Sequence, residues 1–434
     1  MKKGLVIIGY DRPNRYSWAI LMGYLEAFED ITTFYDFKIL PFQPYEAHLH
    51  EEEFQEIPWS QYDVVIIAFS LMTVQMAQFR QFIENKNAFF FNRHQNIVYV
   101  VGGPHVMAKP EEFAPLGVDF IVPCEGEVAF RSLLEALRVK NKSDINTKSL
   151  PGVARGKPTY IPAAPPVLIE LGQYPPFSEK FRLFGPIEIS RGCPYRCKFC
   201  QTGNRTGFMR HSPVEQVVKW VKRASEIKFD KVWFLSPNAF AYGSKNGIKP
   251  DPEALQMLLA AVKQIPNIKE IYFGTFPSEV RPEFVTAEVL TAVIPYISNK
   301  YIVIGAQNAS DPVLKSITRG HGFSEVLAAI ELLKEFGLNA DIDFIFGLPG
   351  ETEADIDRNA HFFEDILSGK YSNVKIHTHS FMPLPGTPLE EAKAGEIPAK
   401  IQKIIGKLTK SGKAYGEHLA QAGLVDTKFS KDIT

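Results

Sequence analysis

Cysteine is scarce in this chain: there are four in 434 residues, and three of them fall within eight positions. So few thiols, so clustered, exclude a secreted disulfide framework and point to metal or redox chemistry in a reducing compartment. Long apolar runs are also missing. No stretch reaches the roughly 18 residues that a membrane span needs. The start MKKGLVIIGYDRP runs into a strand-like segment and has neither the apolar length nor the small-residue cleavage site of a signal peptide, so a cytoplasmic location is expected. Charge of one sign is lacking too. A formal net charge of -1 gives no basic field for a polyanion, which argues against nucleic acid as a partner. The fingerprint GxGxxG is absent after the first strand, where the chain reads GYDRPN, so a dinucleotide is not expected there.

What is present describes a globular protein, 45% hydrophobic and 22% charged, and long enough for two or three domains. Over residues 1–143, β-rich runs at 4–8, 35–40, 63–70, 96–102 and 118–123 alternate with helical periodicity. This pattern predicts a doubly wound, Rossmann-like α/β domain with a parallel sheet. Its loops at 9–12, 70–73, 102–105 and 124–127 should share the rim beyond the carboxyl ends of the strands, where such sheets bind ligands. Residues 144–185 are rich in Pro, Gly and Lys and read as a linker. A second series over 186–390 has strands at 186–190, 231–235, 270–275, 301–306, 340–346 and 374–381 with crossover helices between them. Six strands predict an open partial (β/α)6 TIM-like barrel. A C-terminal helical segment, 391–434, carries one amphipathic helix from 397 to about 423.

The three clustered cysteines, Cys193, Cys197 and Cys200, lie in RGCPYRCKFC just after the first strand of the second series. Three thiolates at this spacing can hold three corners of a 4Fe–4S cubane and leave one iron open, as catalytic metal sites leave a position open. Arg191, Arg196 and Lys198 surround them with positive charge that favours thiolates. The alternative is a structural zinc ion closed by His211 or Cys124. It is disfavoured because no second ligand pair follows.

This run, including the aromatic Phe199, resembles the signature of radical S-adenosylmethionine enzymes. The resemblance implies a 4Fe–4S cluster whose open iron binds S-adenosylmethionine, Phe199 packed against the adenine, and cleavage of the sulfonium to a 5′-deoxyadenosyl radical. IFGLPGE at 345–351, with Gly347 and Glu351, resembles the segment lying along the adenine. Glycine there permits close backbone approach, and Glu351 is expected in the first turn of the next helix. SEVRP at 278–282, GAQN at 305–308 with RGH at 319–321, and FMPLPGT at 381–387 resemble strand-end segments of methylthiotransferases and Mg-protoporphyrin cyclase. They offer Arg319, Gln307 and Glu279 as cofactor contacts; for Arg319 a surface ion pair is the competing reading. The glycine-rich amine-binding segment after the second strand is replaced by LSPNAFAYG at 235–243. Phe240, Tyr242 and Met382 read as core or as an apolar pocket lining.

In the first half, VVGGPHV at 100–106 and GVDFIVPCEGE at 117–127 resemble the cobalamin-binding domain of cobalamin-dependent radical S-adenosylmethionine enzymes. Gly102 and Gly103 would admit a corrin or its nucleotide tail, Ser70 and Thr73 would hydrogen-bond the tail, and Glu125 stands on the same rim. The Asp-x-His-x-x-Gly loop that supplies histidine to cobalt in corrinoid methyltransferases is absent. His105 reads as hydrogen-bonded scaffold and Cys124 as a buried loop residue. Methylthiotransferases carry a second cysteine trio in their first domain, which cannot be built here. The expectation is an oxygen-sensitive radical enzyme, cobalamin-dependent, that functionalises or methylates an unactivated carbon of a small-molecule or lipid-like substrate, with flavodoxin or ferredoxin as electron donor. A radical enzyme without cobalamin, its first domain docking substrate, and a zinc-stabilised binding protein are the alternatives.

Overall fold

The computed structural model describes residues 3–42, 56–85 and 96–416, which fall in two compact units, Met1–Gly185 and Pro186–Thr434. In the first unit six strands form one sheet: β1 (Gly4–Tyr10), β2 (Tyr35–Pro41), β3 (Val64–Ser70), β4 (Ile97–Gly102), β5 (Phe120–Val122) and β6 (Ala154–Arg155), in the order β2-β1-β3-β4-β5-β6. All pairings are parallel except β5 with β6. The central strands are apolar at successive positions because both faces are covered. Val6, Ile8 and Ile66 pack with Trp18 and Leu133 from the helices Arg15–Glu26 and Gly126–Val139. Leu5, Ile7, Val65 and Ile67 pack on the other face with Phe79 from the helix Met76–Asn85. The stretch 144–185 contributes β6, and Arg155 Nη2 donates to the carbonyls of Lys142 and Ile145.

The second unit begins with β7 (Ile187–Glu188) and an antiparallel pair, β8 (Ser190–Arg191) with β9 (Arg210–His211), which closes the intervening residues into a loop. Then follow β10 (Lys231–Leu235), β11 (Glu270–Tyr272), β12 (Tyr301–Gln307), β13 (Asn339–Phe346), β14 (Val374–Ser380) and β15 (Ala414–Gly416). The parallel runs β7-β10-β11 and β12-β13-β14-β15 are joined through a bridge between Val280 and Ile304. Crossover helices Val214–Glu226, Pro252–Lys263, Ala287–Val293, Phe323–Glu335 and Glu353–Leu367 stand where the periodicity placed them. Asp251 and Thr286 cap two of them by accepting from Ala254 N and Val289 N. Along β13, Ile342, Phe344 and Phe346 are buried, and Phe344 and Phe346 meet Phe363 of the outer helix edge to face. Asp341 and Asp343 therefore point to the opposite, inner face.

The Rossmann-like domain and partial barrel expected from the sequence are thus both present. The final helix is shorter than expected. It runs Ala399–Lys410, and Gly412, at φ +71°, turns the chain into β15, which pairs with β14 as an additional parallel strand. A three-residue strand carries too short a pattern to be seen in sequence. The part of the expected helix beyond residue 416 lies outside the described residues.

Candidate active site

The cysteine loop exists because two glycines let the chain fold tightly on itself. At Gly192, φ +88°, a Cβ would meet the Phe208 carbonyl oxygen at 1.8 Å, and at Gly203 it would meet the Tyr195 carbonyl oxygen at 1.6 Å. Asn204 Nδ2 donates to the carbonyls of Cys197 and Cys200 at 2.8 and 2.7 Å. The loop is tied down from outside by Lys198 N donating to Ile317 O at 3.0 Å and Thr318 Oγ1 donating to Arg196 O at 2.8 Å. Among the described residues, Asp343, His377 and His379 are the only three or more His, Cys, Asp or Glu whose ligand atoms all lie within 4.8 Å of one another. The three sulfurs are therefore not all gathered within that span, as three thiolates on one tetrahedral zinc would be, about 3.8 Å apart for Zn–S bonds of ~2.3 Å. His211 cannot close a zinc site: Nδ1 lies 2.8 Å from Ser190 Oγ and Nε2 3.1 Å from Ser244 O.

The positive charge beside the thiols comes from residues distant in sequence. Arg191 is committed to Glu188 through two contacts of 2.9 and 2.7 Å. Instead Arg319 Nη1 donates to Cys197 Sγ at 3.6 Å and Arg281 Nη1 at 3.9 Å. Cys197, Arg281 and Arg319 are all buried, so Arg319 is no surface ion-pair residue. Burial opposes its charge, but the Cys197 sulfur, Glu279 and Glu283 more than offset this and keep the guanidinium cationic. Arg319 Nη2 also donates to Gly305 O at 2.5 Å, and Arg281 Nη2 donates to Arg319 O. Arg281 lies 3.5 Å over the Tyr195 ring and pairs with Glu283. Burial pushes the Cys193 thiol up, whereas His321, buried and beside Arg319, is pushed down to about 4.

Phe199 packs with Leu314, Ile317, Leu348 and Phe381, fixing the loop against the ends of β13 and β14. Gly347, φ +72°, makes its close approach to Gly395 and Glu396 of the same chain, where a Cβ would meet backbone at 2.5 Å. Glu351 precedes the helix rather than entering its first turn, because Thr352 is the N-cap. Its carboxylate accepts from Gly347 N, Leu348 N and Asn308 Nδ2 at 2.9, 3.1 and 2.7 Å, closing the turn. Gln307 is buried at φ +75°, beside an irregularity in the β12 register between Gly305 and Gln307. Non-glycine residues held in this region concentrate at functional sites. In the segment replacing the glycine-rich one, Ser236 N donates to Ser278 Oγ at 2.9 Å, and Asn238 Nδ2 is buried without a partner among the described residues.

Inside the barrel, sequence reasoning passed over Asp343, His377 and His379, and weighed Glu279 only as a minor contact. Burial and the Asp343 charge drive the Glu279 carboxyl well up from the usual carboxylate range. His377 and His379 stand at alternate positions of β14, a strand-face signal that DxD and HxH spacing could have revealed.

In the first unit the expected rim forms. Asn14, buried and unremarked in sequence, donates to Gly9 O and Ser70 O at 3.1 Å each, linking β1 and β3 where the strand order switches. Gly103, φ +100°, leaves room for Leu71: a Cβ would meet Leu71 N at 2.6 Å and Ser70 Oγ at 2.9 Å. Its freedom serves the rim's own chain rather than a ligand. A Cβ on Gly102 meets only ordinary contacts of 3.5 Å or more. Ser70 and Thr73 are buried, and Thr73 Oγ1 lies 3.2 Å from His105 Nδ1, whose other nitrogen is 3.4 Å from Glu112. Glu125 stands just ahead of the helix Gly126–Val139. Cys124 reaches the Glu125 and Gly152 carbonyls, and burial pushes its thiol up to about 12.

Residues 187–363 match the Radical SAM superfamily model and residues 15–134 match the B12 binding domain model. A ribosomal protein uS12 methylthiotransferase of Kineococcus radiotolerans is 33% identical over 184 residues, which is 42% of this chain and 36% of that protein. A threonylcarbamoyladenosine tRNA methylthiotransferase of Mus musculus is 28% identical over 221 residues, 50% of this chain and 36% of that protein. The chain therefore spans little more than a third of these relatives. The methyltransferase TsrM from Kitasatospora setae, solved with cobalamin and a [4Fe-4S] cluster, superposes with a TM-score of 0.68 at 15% identity, covering 90% of this chain and 77% of that one. OxsB, solved with aqua-cobalamin and S-adenosylmethionine, gives 0.64 at 16% identity, covering 95% and 62%. At such identities the likeness shows a shared fold. With both family models matched and the three cysteines in a tied loop at the mouth of the second series, the chain belongs to the radical SAM enzymes that carry a B12 binding domain.

Proposed function

We propose that this chain is a cobalamin-dependent radical enzyme that functionalises an unactivated carbon, by methylation, on a small-molecule or lipid-like substrate. The observation that carries the radical half is the buried Arg319–Cys197 contact beside a thiol trio held in one tied loop. When bound, the cluster with S-adenosylmethionine supplies hydrogen abstraction, and cobalamin supplies the methyl group. Cys193, Cys197 and Cys200 would hold the cluster, and Arg319 and Arg281 set a positive field on one of its ligands. Phe199, Leu348 and Phe381 exclude water from the loop's inner side, which protects reactive species from quenching. Gln307, Asn308 and Glu351 shape the neighbouring strand ends. The first unit offers the β1/β3 switch-point rim around Asn14, Gly102 and Glu125 for cobalamin, and a flavodoxin or ferredoxin would deliver the electron.

The test is anaerobic. Reconstituted protein given S-adenosylmethionine and reductant should form 5′-deoxyadenosine, and protein incubated with hydroxocobalamin should retain corrinoid absorbance after desalting. Loss of the second result alone removes methyl transfer and leaves the radical reading standing.

A further inference from the structure

Three Lewis-basic side-chain atoms converge on the inner face of β13 and β14. The parallel register sets Asp343 opposite His377 and Ile345 opposite His379, and residues two apart on a strand leave the same face. His377 Nδ1 lies 2.7 Å from Asp343 Oδ1 and 3.1 Å from His379 Nε2, and His379 Nε2 lies 3.9 Å from Asp343 Oδ1. A proton on His377 Nδ1 can serve the carboxylate or the second imidazole, not both well. A cation at the centre serves all three. Imidazole nitrogen and carboxylate oxygen bind transition metals at about 2.0–2.2 Å. Ligands at octahedral or tetrahedral angles then lie about 3.0–3.4 Å apart, and the observed separations bracket that range.

The surroundings suit a metal that keeps open positions. The Asp343 side chain is 4% exposed, but those of His377 and His379 are 19% and 28% exposed, so a bound ion would face space on the imidazole side. Outer contacts fix the ligands, as they do in metal sites generally. Tyr415 stacks on His377 with ring centroids 4.6 Å apart and donates its hydroxyl to Asp341 Oδ2 at 3.1 Å, and Glu279 hydrogen-bonds Asp343. We propose that Asp343, His377 and His379 form a mononuclear site for a divalent transition-metal ion, separate from the cysteine loop. Two imidazoles and one carboxylate suit zinc or iron(II) rather than calcium or magnesium, which take oxygen ligands.

The full chain, with its cluster reconstituted anaerobically, is incubated with Zn(II), desalted and analysed for zinc. One equivalent should remain, and His377→Gln and His379→Gln should each weaken retention at least tenfold while the visible absorbance of the cluster persists. Equal retention in wild type and both variants would overturn the site, as would no retention in wild type. Should a variant lose its cluster, zinc X-ray absorption on the wild type decides: imidazole and oxygen scatterers without sulfur support the site, and sulfur ligation overturns it. None of these readouts depends on S-adenosylmethionine cleavage, so the metal site and the radical reading can fail independently.

Discussion

Arg319 binds Cys197 and the β12 backbone at once: Nη1 donates to the sulfur at 3.6 Å while Nη2 donates to Gly305 O at 2.5 Å. One buried cation thereby fixes the cysteine loop against the barrel interior and places positive charge on a prospective cluster ligand. Hydrogen bonds and charge near a cluster's sulfurs tune its potential. Arg319→Met should make the cluster harder to reduce, seen as a more negative midpoint in an EPR-monitored titration. It should also lower folding stability by about 1.5–3 kcal/mol, the usual worth of a hydrogen bond to a charged group.

Gly203 and Gly207 lie in one short helix and its cap, yet should respond oppositely to alanine. A Cβ at Gly203 would enter the Tyr195 carbonyl, whereas at Gly207, φ +65°, nothing lies within 4 Å. Gly203→Ala should fail to hold iron on reconstitution. Gly207→Ala should lose only about 1–2 kcal/mol of stability through its left-handed backbone conformation and keep the cluster. Iron analysis with thermal denaturation separates the two.

In the first unit, Gly103→Ala collides with Leu71, and Gly102→Ala does not. The first should destabilise the unit. The second should leave circular dichroism and melting unchanged while reducing hydroxocobalamin retention, if the corrin or its tail passes over β4.

His321 makes stability pH-dependent. Folded, it stays neutral down to about 4, against 6.5 for a free imidazole, so the unfolded chain takes up its proton first as pH falls. Stability is then lost from pH 6.5 downward to pH 4, by roughly 1.4 kcal/mol per unit and about 3 kcal/mol in all. Urea unfolding of the apoprotein across that window should show this slope, and His321→Gln should flatten it.

The strands and crossover helices were legible because each carries its own period: continuous apolar runs for strands buried on both faces, and amphipathic repeats for the helices that cover them. The cysteine loop was legible because spacing alone defines it. Its electrostatics were not. Arg191 is a neighbour in sequence yet turns to Glu188, while Arg281 and Arg319 arrive from the ends of other strands. Gly103 and Gly347 were readable as positions needing close approach, but what approaches them is the chain's own backbone at Leu71 and Gly395. Asp343, His377 and His379 assemble only when β13 and β14 pair in register.

The central claim is tested most directly by low-temperature EPR of the reconstituted, reduced protein with and without S-adenosylmethionine. A cluster held by Cys193, Cys197 and Cys200 with one open iron should give a reduced 4Fe–4S signal that shifts when S-adenosylmethionine is added, and Cys197→Ala should abolish it. A signal indifferent to S-adenosylmethionine, or protein that takes up zinc and no iron at these cysteines, would contradict it.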